Sequence, residues 1–369
     1  MIHLKSPVIL FIVAILIASL GILSIYSSTH QREGELRQDN YKRQMLWVLL
    51  GALIFFVLSH VNYRWLWDAT YILYILAVLL LILVFILGAT RLGAQRWLHL
   101  AWFNFQPSEV TKLIMAIFLS RYFTRKSVDD ISLISAKFGL KEGLIYPLIF
   151  VAIPVLFIYQ QPDLGSAAMI LFLFIAILFL THVRLRYFVI LMLIMILSLP
   201  LLWHFLRDYQ KERLLVFLNP NIDPLGAGYT VIQAKITIGS GGLFGKGWLG
   251  GTQSQLHFLP EAHTDFIFAT FCEEWGLFGS LVLLFLYYLL IRHGFLIAQR
   301  TRDHFGSLLA FGISLMLGIQ IFINIAMNLS LAPVVGLPLP LMSYGGSSIV
   351  TTFAALGILA NIDRTRSVF

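Results

Sequence analysis

The polar groups of this chain are few and sit in short motifs. In FQPSEVTKL (residues 105–113), Pro107 suits the first turn of a helix. Glu109 then lies where the positive end of that helix favours a carboxylate. Glu109 and Lys112 are three residues apart and share a helix face. Two chemistries fit them. One is a snorkelling lysine paired with a capping carboxylate; the other is a cationic group for a lipid phosphate. In LPEAHTDFIFATF (residues 259–271), Asp265 stands at the start of an apolar run. Helix capping by Thr264 or Asp265 is one reading. The other is an acid or base at a membrane surface, with His263 and Glu261 nearby. Glu273 and Glu274 follow about two to three helical turns deeper. They either solvate one another in a polar pocket or line the same cavity.

GSGGLFGKGWLGG (residues 239–251) surrounds Lys246 with glycine. It is not a Walker loop: Ser240 stands where the first Gly should be, and Gly247 replaces the Ser/Thr after the lysine. It reads as a flexible loop with tight turns, whose backbone amides could also meet a phosphate. The chain has 10 histidines but no HExxH and no pair at ligand spacing, so a protein-only zinc site is not expected. Without GxSxG, no Ser-His-Asp set can be nominated. The single cysteine, Cys272, excludes an intrachain disulfide and a Cys-based metal cage.

The elements that must position these groups are membrane helices. Of 369 residues, 59% are apolar and only 12% charged, about half the charge of a soluble domain. The net charge of +8 is spread between apolar runs, and no Lys/Arg cluster suited to nucleic acid occurs. A spanning helix needs roughly 20 apolar residues. Runs at 7–28, 45–60, 69–88, 108–123, 143–160, 163–182, 187–206, 266–292, 307–330 and 345–362 meet or approach that length. The first is longer than a signal-peptide core and reads as an uncleaved helix. The eighth is longer than a bilayer needs and is expected either to begin above the membrane or to bend near Gly276. The chain therefore reads as an all-α integral membrane protein with about ten transmembrane helices. It forms one polytopic domain over residues 1–369, with a large extracytoplasmic loop, 207–265, between helices seven and eight.

With both termini cytoplasmic, the inner segments hold 14 Lys/Arg and the outer segments 11, of which 5 lie in the 207–265 loop. Long loops cross with little regard to charge, so the short-segment balance favours cytoplasmic termini. The outer face then carries RLGAQRWL, FQPSE, QQPDLG, the 207–265 loop and LAPVVGLPLPLMSYGG, whereas the inner loops are short and ordinary. That asymmetry places function outside.

Several long stretches resemble one family, in the family's own order. They are QPDLGSA, RLLVFLNPNIDPLGAGY, IQAKITIGSGGLFGKGWLGGTQSQLHFLPEAHTDFIF, EEWGLFG and PVVGLPLPLMSYGGSS. Together they look like the SEDS (shape, elongation, division and sporulation) proteins, with GWLGGTQSQLHFLPE nearer the elongation branch than the division branch. The resemblance implies a peptidoglycan glycosyltransferase that polymerises lipid II in the bacterial inner membrane, with its active site facing the periplasm. It implies Asp265 as the catalytic residue. It marks Glu109, Lys112, Arg96 (in GAQRW) and Asp163 (in QPDLG) as functionally sensitive. It also implies a class B penicillin-binding protein transpeptidase and other elongation-complex membrane proteins as partners.

The expected chemistry follows from the leaving group. The acceptor 4-hydroxyl attacks the donor anomeric carbon with inversion and needs one general base, assigned to Asp265. Pyrophosphate leaves without protonation but needs positive charge, which Lys112 and Arg96 could supply, with Lys246 a further substrate-binding candidate. Asp265, Glu109, Glu273 and Glu274 are the candidate ligands for a divalent cation, Mg or Mn. A lipid II flippase and a non-catalytic scaffold for a transpeptidase are the alternatives.

Overall fold

The computed structural model describes residues 6–29, 39–91, 94–100, 103–129, 139–181 and 185–365. Helices occupy every one of the ten apolar runs. They are α1 (Ser6–Thr29), α2 (Asn40–His60), α3 (Arg64–Leu87), α4 (Pro107–Asp129), α5 (Tyr146–Gln160, entered through a π turn at Lys141–Ile145), α6 (Leu164–Leu180) and α7 (Leu185–Phe205). After three shorter helices come α11 (Ile267–Arg300), α12 (His304–Asn328) and α13 (Gly346–Thr365). In hydrocarbon a helix is the one open-ended element that satisfies its own backbone groups, which is why uncharged runs of this length take it. Among the described residues, seven helices are long and apolar enough to cross a membrane, and Leu164–Leu180 and Arg186–Ser198 are shorter apolar helices. Leu49, Ile72 and Leu197 are more than 60% exposed on α2, α3 and α7, as lipid-facing side chains would be. The chain is a multi-pass membrane protein. The connections at 30–38 and 130–138, which hold part of the basic balance, lie outside the described residues.

Two features differ from the sequence expectation. Between α3 and α4 the chain forms a small antiparallel sheet, β1 (Gly88–Arg91), β2 (Ala94–Leu100) and β3 (Phe103–Phe105), in the order β1-β2-β3. Its strands are too short to announce themselves by alternation, although Leu98 buries itself while its neighbour His99 stays exposed. The 207–265 region is not an open loop. It holds α8 (Asp208–Leu218), α9 (Ala227–Ser240) and α10 (Thr252–Gln255). At 11, 14 and 4 residues these helices are shorter than a membrane span, so no run of spanning length marks them in the sequence.

The chain groups into two compact units. One is Met1–Ile54, Leu206–His293 and Leu317–Phe353. It centres on Ala234, Leu259, Ala262, Phe266 and Ala269, with Ile238 and Val334 against them. The other is Phe55–Phe205, Gly294–Met316 and Ala354–Phe369. There the turn before α3 is locked by side chains. Tyr63 N donates to Asn361 Oδ1 at 2.9 Å, and Tyr63 Oη donates to Asp303 Oδ2 at 2.8 Å. Asp303 also caps α12 through Gly306 N at 2.8 Å. Burial and the Asp303 bond push the Tyr63 phenol well above its ordinary range, so it remains a donor.

Candidate active site

Asp265 sits half-buried in the turn that leads into α11, in the first unit. The N-cap position of α11 is Phe266, which has no side-chain acceptor. The N–H that a cap would satisfy, that of Ala269, donates instead to Asn328 Oδ1 at 3.1 Å. Thr264 Oγ1 turns back to Glu261, 3.3 Å from its carbonyl and 3.0 Å from Oε2. His263 is buried, with its ring 5.9 Å from that of Tyr344. Glu261 and Leu341 hold positive φ, 48° and 66°, on either side of this contact. Such backbone persists only where the surroundings over-determine it.

Deeper in α11, the helix breaks at Gly276 (φ 64°, ψ −164°). The glycine-rich stretch fills the break. Lys246 N and Gly247 N donate to the freed carbonyls of Glu273 and Glu274, both at 3.0 Å. Leu277 N and Phe278 N donate to the carbonyls of Gly242 and Leu243 at 3.0 and 3.1 Å. Gly245 takes φ 79°, and a Cβ there would run into the Glu274 carbonyl. The GSGGLFGKGWLGG motif is thus a bonded plug rather than a free loop. The bend expected in the eighth helix lies at Gly276 itself.

Glu273 fastens this plug. Its Oε1 accepts from Lys246 Nζ (2.8 Å), Gln253 N (3.0 Å), Thr252 Oγ1 (3.2 Å) and Ser240 Oγ (3.3 Å). Its Oε2 accepts from Ser254 N and Ser254 Oγ, both at 3.3 Å. Lys246, nominated for substrate, spends its charge on this pair. Glu274 Oε1 accepts from Ser27 Oγ of α1, while Oε2 is buried with no hydrogen-bond partner among the described residues. The two glutamates do not solvate one another; each serves a different element.

The second unit gathers the other nominated residues. Lys112 Nζ and Glu109 Oε1 pair at 2.8 Å, with both residues almost fully buried. Asp163 caps α6 by accepting from Ser166 N at 3.2 Å. Its Oδ2 also accepts from Ser108 Oγ at 3.0 Å and Gln106 Nε2 at 3.4 Å, which ties the start of α6 to the start of α4 beside Glu109. Arg96, on β2, donates to the carbonyls of Gln161 (3.3 Å) and Pro162 just before Asp163. The unpredicted sheet is what carries Arg96 to this corner. Arg96 and Asp163 thus meet at the start of α6, which is tied to the start of α4, the helix that carries Glu109 and Lys112.

Among the described residues no group of three or more His, Cys, Asp or Glu side chains could hold a metal ion. Glu273 has its lone pairs filled by protein donors, and Glu109 is taken by Lys112.

The chain matches the FtsW/RodA/SpoVE family, described as a cell cycle protein, over residues 7–368. It belongs to this family. It is 41% identical over 368 residues to the peptidoglycan glycosyltransferase MrdB of Escherichia coli, covering 100% of this chain and 95% of that one. It is 35% identical to stage V sporulation protein E of Bacillus subtilis, covering 97% of each. Its fold matches a chain from a peptidoglycan synthase complex, described as structurally coordinating polymerization and crosslinking, with TM-score 0.80, 31% identity and 97% of each chain covered. It also matches the rod shape determining protein RodA of Thermus thermophilus, with TM-score 0.69, 28% identity, and 97% and 96% covered. These SEDS relatives share the helical membrane architecture described above. Sequence reasoning passed over Ser27, Gln106, Ser108, Asn324, Asn328 and Ser343. The two asparagines had a readable signal, a pair of amides four residues apart in an apolar helix.

Proposed function

We propose that this chain is a peptidoglycan glycosyltransferase that polymerises lipid II into glycan strands for elongation and rod shape. The full-length match to a relative named for that activity carries the reading. Asp265 acts as general base. It takes the proton of the acceptor 4-hydroxyl as that oxygen attacks the donor anomeric carbon; the bond to the pyrophosphate breaks, and the product sugar has inverted configuration. Asp265 is half-buried in the turn that leads into α11, and the Ala269 N–H at that helix start is satisfied by Asn328. Lys112 supplies positive charge toward the donor pyrophosphate, with Glu109 fixing its ammonium. Arg96 and Asp163 shape the same corner of the second unit. Lys246 serves the plug beneath Asp265.

The reading places the protein in the bacterial inner membrane, with Asp265 facing the periplasm and a class B penicillin-binding protein transpeptidase as partner. Other elongation-complex membrane proteins would join them. Purified protein in detergent, given lipid II, a divalent cation and the partner, tests enzyme against flippase. A polymerase lengthens glycan and releases undecaprenyl pyrophosphate. Unchanged lipid II in detergent, alongside lipid II movement in liposomes holding the same protein, overturns the proposal.

A further inference from the structure

Three consecutive backbone carbonyls at the active-site turn are held by groups from elsewhere in the first unit. The His263 carbonyl accepts from Tyr344 N at 3.0 Å. The Thr264 carbonyl accepts from Ser343 Oγ at 2.6 Å. The Asp265 carbonyl accepts from two side-chain amides of α12, Asn324 Nδ2 at 3.1 Å and Asn328 Nδ2 at 3.0 Å. In a regular helix that last carbonyl would accept from Ala269 N. Here Asn328 stands between them, its Oδ1 accepting from Ala269 N at 3.1 Å while its Nδ2 donates to Asp265. The side-chain amide replaces one rung of the helical ladder. Only this amide orientation satisfies both contacts.

Both asparagines are fully buried and lie one turn apart on one face of α12. Asn324 also donates to the Leu337 carbonyl at 2.7 Å, and Asn328 to the Asn324 carbonyl at 2.9 Å. The bracket is itself fastened. Ser343 Oγ accepts from Leu339 N at 2.8 Å, and Gln44 Nε2 donates to the Ser343 carbonyl at 3.0 Å. Buried polar groups on a membrane helix are costly unless each is satisfied, and these are spent on the one turn that carries the carboxylate.

We propose that Asn324 and Asn328 are positioning residues for the transfer reaction, holding the Asp265 backbone out of the helical ladder so that its carboxylate is presented to the acceptor. This rests on the reading of Asp265 as the base. A base must be held within a fraction of an ångström of the proton it takes, while binding of the lipid does not depend on that placement. The pair should therefore act on kcat and not on substrate affinity.

The test uses the full chain in detergent with lipid II, measuring kcat, lipid II affinity and melting temperature for Asn328→Ala, Asn328→Asp, Asn324→Ala and Asp265→Asn. Asn328→Asp keeps an acceptor for Ala269 N but faces the Asp265 carbonyl with another oxygen. It therefore separates capping of α11 from the grip on Asp265. Asn324→Ala leaves the bridge intact and retains the fold if Asn328→Ala does not. Both Asn328 variants should lose kcat by roughly 10–100-fold, with affinity for lipid II within about threefold of wild type. Asn324→Ala should fall between them and wild type. A folded Asn328→Asp with near wild-type kcat overturns the inference, as does a loss of kcat matched by an equal loss of affinity. If Asp265→Asn is inactive while the folded asparagine variants keep their kcat, the positioning role alone fails. If Asp265→Asn polymerises normally, the reading of the base fails instead.

Discussion

Lys112 carries two descriptions at once, a buried ion-pair partner and a charge for pyrophosphate, and mutation can separate them. Removing one partner of a buried pair leaves the other charge unpaired, so Lys112→Met should destabilise by roughly 3–5 kcal/mol. The double variant Glu109→Gln/Lys112→Met removes both charges and should recover most of that stability while polymer synthesis stays lost. Melting curves and glycan assays on the same preparations check this. Recovery of activity together with stability would leave the pair a purely structural role. Lys112→Arg keeps the charge and should retain part of the activity. The pair itself was legible in the sequence, because i, i+3 spacing in a helix start fixes which groups meet. What Asp163 does was not legible. Its partners Ser108 and Gln106, at the start of α4, lie more than 50 residues away in sequence, and no local rule joins them.

At the level of elements, the ten apolar runs each became a helix, because hydrophobic length in the chain is also the physical cause of the helix. The sheet at 88–105 and the helices within 207–265 were missed for the complementary reason: their residues are mixed, and tertiary contacts decide their shape. The bend in α11 lies between. Its length and Gly276 suggested it, but the plug that fills it could not be read, since glycines give no side-chain pattern. Gly276 occupies backbone space that is essentially open to glycine alone, and a Cβ would meet Leu243 and the Gly245 amide. Gly276→Ala should therefore cost about 2 kcal/mol or more and disturb the 241–251 plug. Gly318→Ala on α12 is the opposite case. Its Cβ would sit in ordinary contact with Ile291, 3.7 Å away. That substitution should be neutral or stabilising by up to ~1 kcal/mol. Thermal melts of the two variants should move in opposite directions, or the second not at all. A Gly276→Ala protein as stable as wild type would remove the plug from the explanation of the fold.

For the molecule as a whole, the orientation rests on charge balance in its short connections, and it can be measured. Cys272 is buried, so the native thiol should stay silent toward a membrane-impermeant maleimide. With Leu225→Cys, at a position 90% exposed between α8 and α9, intact cells opened only at the outer membrane should label. With Arg302→Cys, in the exposed turn before α12, they should label only after lysis. The reverse pattern would place Asp265 on the cytoplasmic side and end the proposed use of lipid II from the periplasm. The chemistry itself is tested most directly by glycan synthesis from lipid II by wild type and Asp265→Asn, purified side by side in detergent with the partner protein. Lipid II binding and melting temperature are measured on the same samples. The expected result is polymer and released undecaprenyl pyrophosphate from wild type only, with both proteins folded and binding lipid II alike. Polymer from Asp265→Asn at near the wild-type rate would contradict the assignment of Asp265 as the base.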